Sequence, residues 1–334
     1  MLQQQVLAEV AATQQRSGFS IQRTLSALGV SPSSYYRWQR EEPGTGEAAA
    51  RLPQQLVQCF EATIEEKRAV RKYACQHTEL RHREMAFRMV DENVAYLSPS
   101  TVYRVLKEFN LVSPWKRRSK RQRAYWEQAQ RPNERWGTDL MYLRIGVGQY
   151  YLVTFLDEYS RYLVHWELLT DMSAISVSLA AEKAVSKEQI AWQRKEISPP
   201  QIRSDNGSCY ISREFKSVLT EHGLAHQRIR PHCPEENGLV ERSNRTLRTA
   251  LEELPLDNRQ EAEETIERVV RWYNDERLHS SLKFLRPRDY YRGNPAHLTE
   301  TRRLKLAQAR HHRREQNLGL QQTTLPLEPT HSAY

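Results

Sequence analysis

The chain has 334 residues and a formal net charge of +9 at pH 7, with 50 Lys and Arg against 41 Asp and Glu. This length allows two or three domains and excludes a single small module. A basic surface attracts polyanions, so nucleic acid is the leading class of partner. The sequence lacks both an apolar run of roughly 18 residues and the pattern of a signal peptide, which predicts an intracellular protein without a membrane span.

Residues 1–42 are predicted to form a helix-turn-helix DNA-binding domain. Apolar residues recur at helical spacing up to Leu28, and Gly29 marks a turn. Ser31 and Pro32 then favour a second helix, because the serine hydroxyl can cap it and proline suits its first turn. Residues 43–51 contain helix breakers and are expected to be a linker.

A second helical domain with a helix-turn-helix is predicted over residues 52–113. Leu56, Phe60 and Ile64 recur every four residues, which is typical of an amphipathic helix from Leu52 to about Tyr73. The helix-turn-helix then has helices over 79–90 and from Ser98 onward.

The two helical domains share a sequence repeat. The segment SPSSYYR at 31–37 aligns without gaps on SPSTVYR at 98–104, which indicates tandem DNA-binding modules, although ordinary helical bundles stay an alternative. In the two repeats, the residues expected to contact DNA are Ser33, Tyr36, Arg37, Ser100, Tyr103 and Arg104. Lys107, one helical turn after the second repeat, is expected to contact DNA as well.

A basic linker is predicted over residues 114–130. The stretch 116–123 carries six positive charges in eight residues, and their mutual repulsion favours an extended, solvated segment. Such a segment suits DNA phosphates, while a solvated segment that binds nothing is the alternative. The residues expected to contact DNA are Lys116, Arg117, Arg118, Lys120, Arg121 and Arg123.

Residues 131–292 are predicted to form an α/β domain. β-forming residues over 141–145, 150–156 and 162–166 indicate a three-stranded antiparallel meander. Helices over 173–190 and 214–222 then alternate with short strands at 201–203 and 227–229. This order predicts a mixed sheet with helices on its faces.

Three carboxylates stand at places where such a sheet can bring them together. Asp139 lies on the first strand, Asp205 follows a short strand, and Glu241 lies in the next helix. Carboxylate oxygens are suitable ligands for Mg²⁺ or Mn²⁺. Two such ions can stabilise both the attacking and the leaving oxygen of a phosphodiester. The pattern therefore predicts an enzyme that cuts or joins nucleic acid.

The sequence around these carboxylates resembles the retroviral-integrase superfamily. The matching blocks are WGTD at 136–139, FLDEYSR at 155–161, SDNGS at 204–208 and PEENGLVER at 234–242. The segment YNDERLHSSL at 273–282, followed by Pro287, is similar to the tail block of bacterial insertion-sequence transposases in that superfamily.

This resemblance implies a ribonuclease-H-like catalytic domain in which Asp139, Asp205 and Glu241 are the catalytic DDE triad and bind two Mg²⁺ or Mn²⁺ ions. It implies a DNA transposase that binds terminal inverted repeats, cleaves the transposon end and transfers the 3′ strand to target DNA. The protein would be cytoplasmic, in a bacterial nucleoid. Because two ends must be joined in concert, we expect a homo-oligomer, at least a dimer.

Further DNA contacts are expected on the helix of Glu241. Asn237, Asn244, Arg245 and Arg248 are spaced by three or four residues around Glu241 and share its face. The resemblance places basic residues one and two turns after the glutamate at the transposon end, as Arg245 and Arg248 are placed here. Solvated or ion-paired side chains are the alternative.

Three other interpretations accompany this prediction. Asp157 and Glu158 are nearby acids, but Asp157 is expected to cap the turn before Arg161. Residues 293–334 are expected to be a basic helical tail that orders on DNA or on another subunit, or that stays solvated.

Instead of a transposase, the chain could be a DNA-binding regulator with an inactive integrase-like domain, or a structure-selective nuclease.

Overall fold

The computed structural model describes residues 2–41, 58–112, 128–195, 198–230, 233–252, 254 and 256–324. The linker predicted over 43–51 and the basic stretch 116–123 lie outside these residues. Contacts divide the chain into two compact units, Met1–Gln58 and Cys59–Tyr334. In the described part of the chain, no helix is long and apolar enough to cross a membrane.

The first unit is a three-helix cluster. Its helices are α1 (Leu2–Ser17), α2 (Ile21–Ala27) and α3 (Pro32–Glu41). The Ser20 hydroxyl accepts the backbone N–H of Arg23 and so caps α2. Val10, Leu25 and Tyr35 form its buried centre. The helices on both sides of the Gly29 turn form as predicted, while α1 is not predicted from the sequence.

The second unit begins with three helices that pack around a small core. They are α4 (Ile64–Gln76), α5 (His82–Asp91) and α6 (Pro99–Glu108). The Ser98 hydroxyl accepts the backbone N–H of Thr101 and starts α6 where the sequence predicts it. Val70, Met89 and Val102 are completely buried between the helices.

The start of α4 differs from the prediction. The Thr63 hydroxyl accepts the backbone N–H of Glu66, whose carboxylate accepts the N–H of Thr63, and this capping box begins the helix at Ile64. Phe60 is 45% exposed and Ile64 is 70% exposed. Phe60 and Ile64 of the predicted apolar repeat therefore do not lie on a buried helix face. The first part of the predicted helix, residues 52–57, lies outside the described residues.

A five-stranded mixed sheet forms the centre of the second unit. Its strands are β1 (Arg135–Ile145), β2 (Gly148–Asp157), β3 (Leu163–Leu169), β4 (Gln201–Ser204) and β5 (His226–Arg228). Their order is β3-β2-β1-β4-β5, in which β1, β2 and β3 are antiparallel, while β4 is parallel to β1 and to β5. The predicted meander and mixed sheet are confirmed, and β5 starts one residue earlier than expected.

Helices cover both faces of this sheet. They are α7 (Ala174–Lys195), α8 (Ser208–Ile211), α9 (Arg213–Glu221), α10 (Gly238–Glu252) and α11 (Arg259–Asp275). Side chains alternate along β1, since Trp136 belongs to the core under α7 and Met141 belongs to the core under α10 and α11. Two short 3₁₀ turns, α12 (Pro287–Tyr291) and α13 (Pro295–Thr324) complete the described elements.

Helix α13 packs on its own chain, so its described part is not the solvated helix of the alternative. The predicted binding of this helix to DNA or to another subunit stays a prediction. The Arg302 guanidinium donates to both carboxylate oxygens of Asp91, at 2.8 and 2.6 Å, and to the carbonyl of Phe284. Arg313 binds Glu66 at 2.6 Å. Both arginines are buried, so α13 is held by its charged side chains against α4 and α5.

The turn after β2 is organised by Asp157. Its Oδ1 accepts the backbone N–H of Ser160 at 2.7 Å, and its Oδ2 accepts the N–H of Asn133 at 2.7 Å. Burial raises the pKa of Asp157 to about 6, against the effect of these hydrogen bonds. The predicted capping role of Asp157 is confirmed.

Replacement of Asp157 should therefore destabilise the fold. Asp157→Ala leaves buried donors of Ser160 and Asn133 unpaired, and we expect it to lower the free energy of unfolding by about 3 kcal/mol in urea titrations. Asp171→Ala is the control, because Asp171 also accepts donors of a following turn, from Ser173 and Ser176, but lies at the surface. Equal losses for the two variants would contradict the role of burial.

Candidate active site

Helix α10 packs closely against β1 at Gly137. A Cβ atom at this position would lie 2.3 Å from Cγ2 of Val240, which is far inside van der Waals contact. Val240 is buried and directly precedes Glu241. The missing side chain at position 137 thus allows α10 to lie on the strand that carries Asp139.

Asp139 is held from the side of α10. The Asn244 Nδ2 atom donates to Asp139 Oδ2 at 3.0 Å, and Asn244 Oδ1 accepts the Thr154 hydroxyl at 3.0 Å. Thr154 lies opposite Asp139 in the β1–β2 register. This chain of hydrogen bonds fixes the carboxylate of Asp139 relative to the sheet and to α10.

The other two predicted catalytic carboxylates influence the pKa of Asp139. Its pKa is raised to about 6, first by burial and then by the charges of Asp205 and Glu241, while donors from Leu140 and Asn244 oppose the shift. The negative charges of Asp205 and Glu241 therefore act on Asp139. Glu241 is exposed and Asp205 is half-buried.

The loop that carries Asp205 is held by its own hydrogen bond and by contacts with β5 and the residue that follows it. Asp205 Oδ1 accepts the backbone N–H of Gly207 at 2.9 Å, and a Cβ at Gly207 would lie only 2.9 Å from that same oxygen. The Asn206 amide donates to the carbonyl of Ile229 at 3.1 Å, and the Ser204 hydroxyl pairs with His226 Nε2 at 2.9 Å. The loop is thus fixed at the end of β4.

A buried ion group lies next to this site, and it is not predicted from the sequence. Glu158 Oε1 accepts Arg203 Nη1 at 3.1 Å, and Glu158 Oε2 lies 3.6 Å from Arg135 Nη1. All three side chains are buried, and burial raises the pKa of Glu158 against the effect of the two guanidinium groups. Glu158 thus links the end of β2 to β1 and β4 beneath Gly137, and its role in these contacts is structural.

The predicted DNA contacts fall into three groups. Those with exposed side chains are Ser33, Tyr36, Ser100, Tyr103, Arg104, Lys107, Arg245 and Arg248. Those whose side chains lie outside the described part are Arg37, Lys116, Arg117, Arg118, Lys120, Arg121 and Arg123. Asn237 and Asn244 are buried. Asn244 differs from the expectation because both ends of its amide bind protein groups.

The donor chemistry of the three carboxylates fits hard divalent cations such as Mg²⁺. Their mutual repulsion, seen in the raised pKa of Asp139, is the kind of strain that a bound cation relieves. In the described part of the chain, no group of three or more His, Cys, Asp or Glu side chains is gathered closely enough to hold a metal ion. The assignment of metal ligands thus stays a prediction.

Comparison with protein families assigns this domain. A family described as "Integrase core domain" matches residues 129–234, and a second family with the same description matches residues 222–287. Residues 129–287 are thus similar to integrase core domains. The resemblance to the retroviral-integrase superfamily is thus confirmed over the sheet, the Asp205 loop and α10.

Curated relatives of the chain include insertion-sequence transposases. The transposase for insertion sequence element IS904 of Lactococcus lactis subsp. lactis strain IL1403 is 28% identical over 173 residues, which are 50% of this chain and 64% of that protein. Transposase InsF for insertion sequence IS3A of Escherichia coli K12 is 29% identical over 110 residues, which are 33% of this chain and 36% of that protein. The chain thus spans less than two thirds of either relative.

The solved structures that match part of the chain include two catalytic domains. The HTLV-2 integrase catalytic core in complex with magnesium matches with a TM-score of 0.37 and 19% identity, over 49% of this chain and 99% of that one. The catalytic domain of Mos1 mariner transposase matches with a TM-score of 0.39 and 14% identity, over 53% of this chain and 83% of that one.

The contact between Gly137 and Val240 predicts an energetic coupling in the integrase core. Gly137→Ala forces α10 away from β1 and should lower the free energy of unfolding by about 2 kcal/mol, as overpacking does. Val240→Ala removes the clashing methyl group, so the double variant should lose less stability than the sum of the single losses, by about 1 kcal/mol or more. Urea unfolding of the four proteins measures this coupling.

Gly238→Ala is the matched control for this cycle. Gly238 lies at the start of the same helix, and a Cβ there would meet nothing within 4 Å. We expect Gly238→Ala to leave stability unchanged or slightly raised and to show no coupling with Val240→Ala. Strict additivity of Gly137→Ala and Val240→Ala would contradict the packing described for this contact.

Proposed function

We propose that the chain is a DNA transposase, which binds the terminal inverted repeats of a mobile element, cleaves its ends and transfers the strands to target DNA. The observation that supports this proposal is the match of residues 129–287 to integrase core domains, within which Asp139 lies on β1, Asp205 follows β4 and Glu241 lies on α10. The similarity to insertion-sequence transposases supports the same activity.

In this proposal Asp139, Asp205 and Glu241 are the catalytic DDE triad and hold two Mg²⁺ or Mn²⁺ ions. Bound there, the ions would supply Lewis-acid stabilisation of the attacking and leaving oxygens in phosphodiester hydrolysis and transesterification. The protein's own contribution is positional. Asn244 fixes the carboxylate of Asp139, the Gly207 N–H fixes that of Asp205, and the packing of α10 on Gly137 sets the place of Glu241.

DNA recognition is assigned to three helices of the chain. The exposed residues of α6, including Tyr103, Arg104 and Lys107, would read one site as part of a helix-turn-helix, and α3 would read another. Arg245 and Arg248 on the exposed face of α10 would bind phosphates of the transposon end. Because two ends are joined in one reaction, the active form would be a homo-oligomer, at least a dimer.

A cleavage assay on the DNA that flanks this gene tests the proposal. Wild-type protein with Mg²⁺ or Mn²⁺ should nick the repeat boundary, and a chelator should stop the reaction. Asp205→Asn and Glu241→Gln should each reduce nicking by about 100-fold or more, because each removes a carboxylate of the proposed metal site. Both variants should still bind the repeat.

Glu252→Gln is the control for loss of a carboxylate on α10, because Glu252 is exposed at the far end of that helix. It should cleave like the wild type. Tight binding of the repeat without metal-dependent cleavage by the wild type would contradict the proposal and favour the DNA-binding regulator. Equal cleavage of branched and repeat DNA would favour a structure-selective nuclease instead.

A further inference from the structure

The Arg302 side chain connects the helical module of α4, α5 and α6 to the sheet domain, which is the sheet with α7 to α12. Its Nε and Nη2 atoms donate to the two carboxylate oxygens of Asp91, the last residue of α5. Its Nη1 and Nη2 atoms donate to the carbonyls of Lys283 and Phe284, at 3.1 and 2.8 Å. Arg302 is only 6% exposed. One buried side chain of α13 thus binds both parts of the protein.

Two aromatic rings complete this contact, which we call the Arg302 joint. The Phe87 ring of α5 stacks on the Phe284 ring, with centres 5.0 Å apart and an angle of 18° between the planes. The Arg302 guanidinium carbon lies 5.0 Å from the centre of the Phe87 ring. Because a guanidinium is attracted to the face of an aromatic ring, Phe87 and the Asp91 carboxylate together fix its position.

The backbone on the sheet-domain side of the joint has an uncommon conformation. Lys283 and Phe284 have φ angles of 54° and 56°, in the left-handed region that residues other than glycine rarely adopt. Two such residues in succession are costly, and they persist only where the surrounding structure enforces them. A bridge between His279 and Leu285 closes this loop. The loop thereby directs two carbonyls toward Arg302.

Beyond the joint, α13 stays attached to the helical module by polar contacts. Lys305 Nζ donates to the Asn93 side chain at 2.7 Å, and Asn317 Nδ2 donates to the carbonyl of Glu61 at 3.0 Å. From Arg302 to Asn317 the helix rises by about 22 Å, at 1.5 Å per residue. Helix α13 and the module therefore form one body over this length, and the joint lies where that body meets the sheet domain.

The apolar cores do not hold the two parts together. Among the described residues, the core of the module, which includes Val70, Met89 and Val102, shares no member with the two cores on the faces of the sheet. Parts with separate cores move relative to each other unless a specific contact holds them. The charged and aromatic groups of the Arg302 joint provide such a contact.

We propose that Arg302 is a positioning residue, which fixes the helical module relative to the sheet domain so that DNA is cut at a set distance from the sequence that α6 reads. The exposed Tyr103, Arg104 and Lys107 of α6 belong to the module. The three carboxylates of the proposed active site belong to the sheet domain. A loosened joint leaves both parts intact but lets the place of the cut vary. The effect on cleavage rests on the proposed function, whereas the fixed placement does not.

The first test measures the placement of the module in the complete chain without DNA. One nitroxide label is attached to Cys75, which is exposed on α4, and another to Lys216→Cys, at an exposed position of α9. Cys59 and Cys233 are changed to serine so that they take no label. Double electron–electron resonance then gives the distribution of distances between the helical module and the sheet domain.

We expect a narrow distribution in the wild type and one at least about twofold broader in Arg302→Gln, because the joint is lost. Arg303→Gln is the matched control. Arg303 follows Arg302 on the same helix, but it is exposed and pairs with Glu300 of that helix. Its distribution should equal that of the wild type. Equal widths in the wild type and Arg302→Gln would overturn the proposal.

Asp91→Asn tests the joint from the side of the module. It removes the charge with little change in volume, and Asp91 is partly exposed, so the variant should fold even if Arg302→Gln does not. Urea unfolding identifies any variant that fails to fold. Asp91→Asn should broaden the distribution as Arg302→Gln does, and the double variant should broaden it no further, because both changes remove one contact. A narrow distribution in Asp91→Asn would contradict the proposal.

The second test maps cleavage of a labelled repeat duplex at nucleotide resolution. Arg302→Gln should bind the duplex within about twofold of the wild type, because the residues proposed to contact DNA are unchanged. It should cut the repeat boundary about 10-fold less and neighbouring phosphodiesters more, because the bond is misplaced. Loss of binding and cleavage in equal proportion, with the position of the cut unchanged, would indicate simple destabilisation and overturn the proposal.

Arg271→Gln is the control in the cleavage test, since Arg271 is an exposed arginine of α11 that pairs with Glu267. It should bind and cut the duplex like the wild type. If the wild type never cleaves but Arg302→Gln still broadens the distance distribution, the fixed placement stands and the proposed function fails. Accurate cleavage by the wild type and by Arg302→Gln alike has the opposite meaning.

Discussion

The close approach of α10 to β1 is the constraint on which the site depends. It requires that position 137 carry no side chain, because Val240 fills the space that a Cβ would take. With α10 in this position, Val240 packs into the core and Asn244 donates a hydrogen bond to Asp139. Glu241 and Arg242, on the same helix, are exposed. A single glycine thus determines the geometry of residues with quite different chemistry.

Burial and charge are balanced around this contact. The apolar face of α10, with Val240, Leu247 and Leu251, is part of the core shared with α11, so the helix is held rigidly by packing. Asp139, in contrast, is partly desolvated, and the charges of Asp205 and Glu241 act on it; both effects raise its pKa. The protein therefore accepts electrostatic strain at the proposed catalytic site, and hydrogen bonds that Asp139 accepts from Leu140 and Asn244 oppose it.

The sequence predicts local structure well where short-range patterns decide it. The strands of the meander and the helix start at Ser98 depend on alternation and capping, which neighbouring residues specify. The predicted start of α4 is wrong because the Thr63 capping box outweighs an apolar repeat. The burial of Asn244 and the packing of α13 through Arg302 depend on partners that are distant in sequence. The spacing of residues within one segment therefore cannot predict these contacts.

A calorimetric titration of Mn²⁺ into the complete chain tests most directly whether the carboxylates at this edge hold divalent ions. We predict saturable binding to the wild type, lost or greatly weakened in Asp139→Asn and Asp205→Asn and retained in Glu252→Gln, because only the first two remove carboxylates of the proposed metal site. Unchanged Mn²⁺ binding by a variant that lacks both Asp139 and Asp205 carboxylates would contradict the central claim that these residues hold the divalent ions.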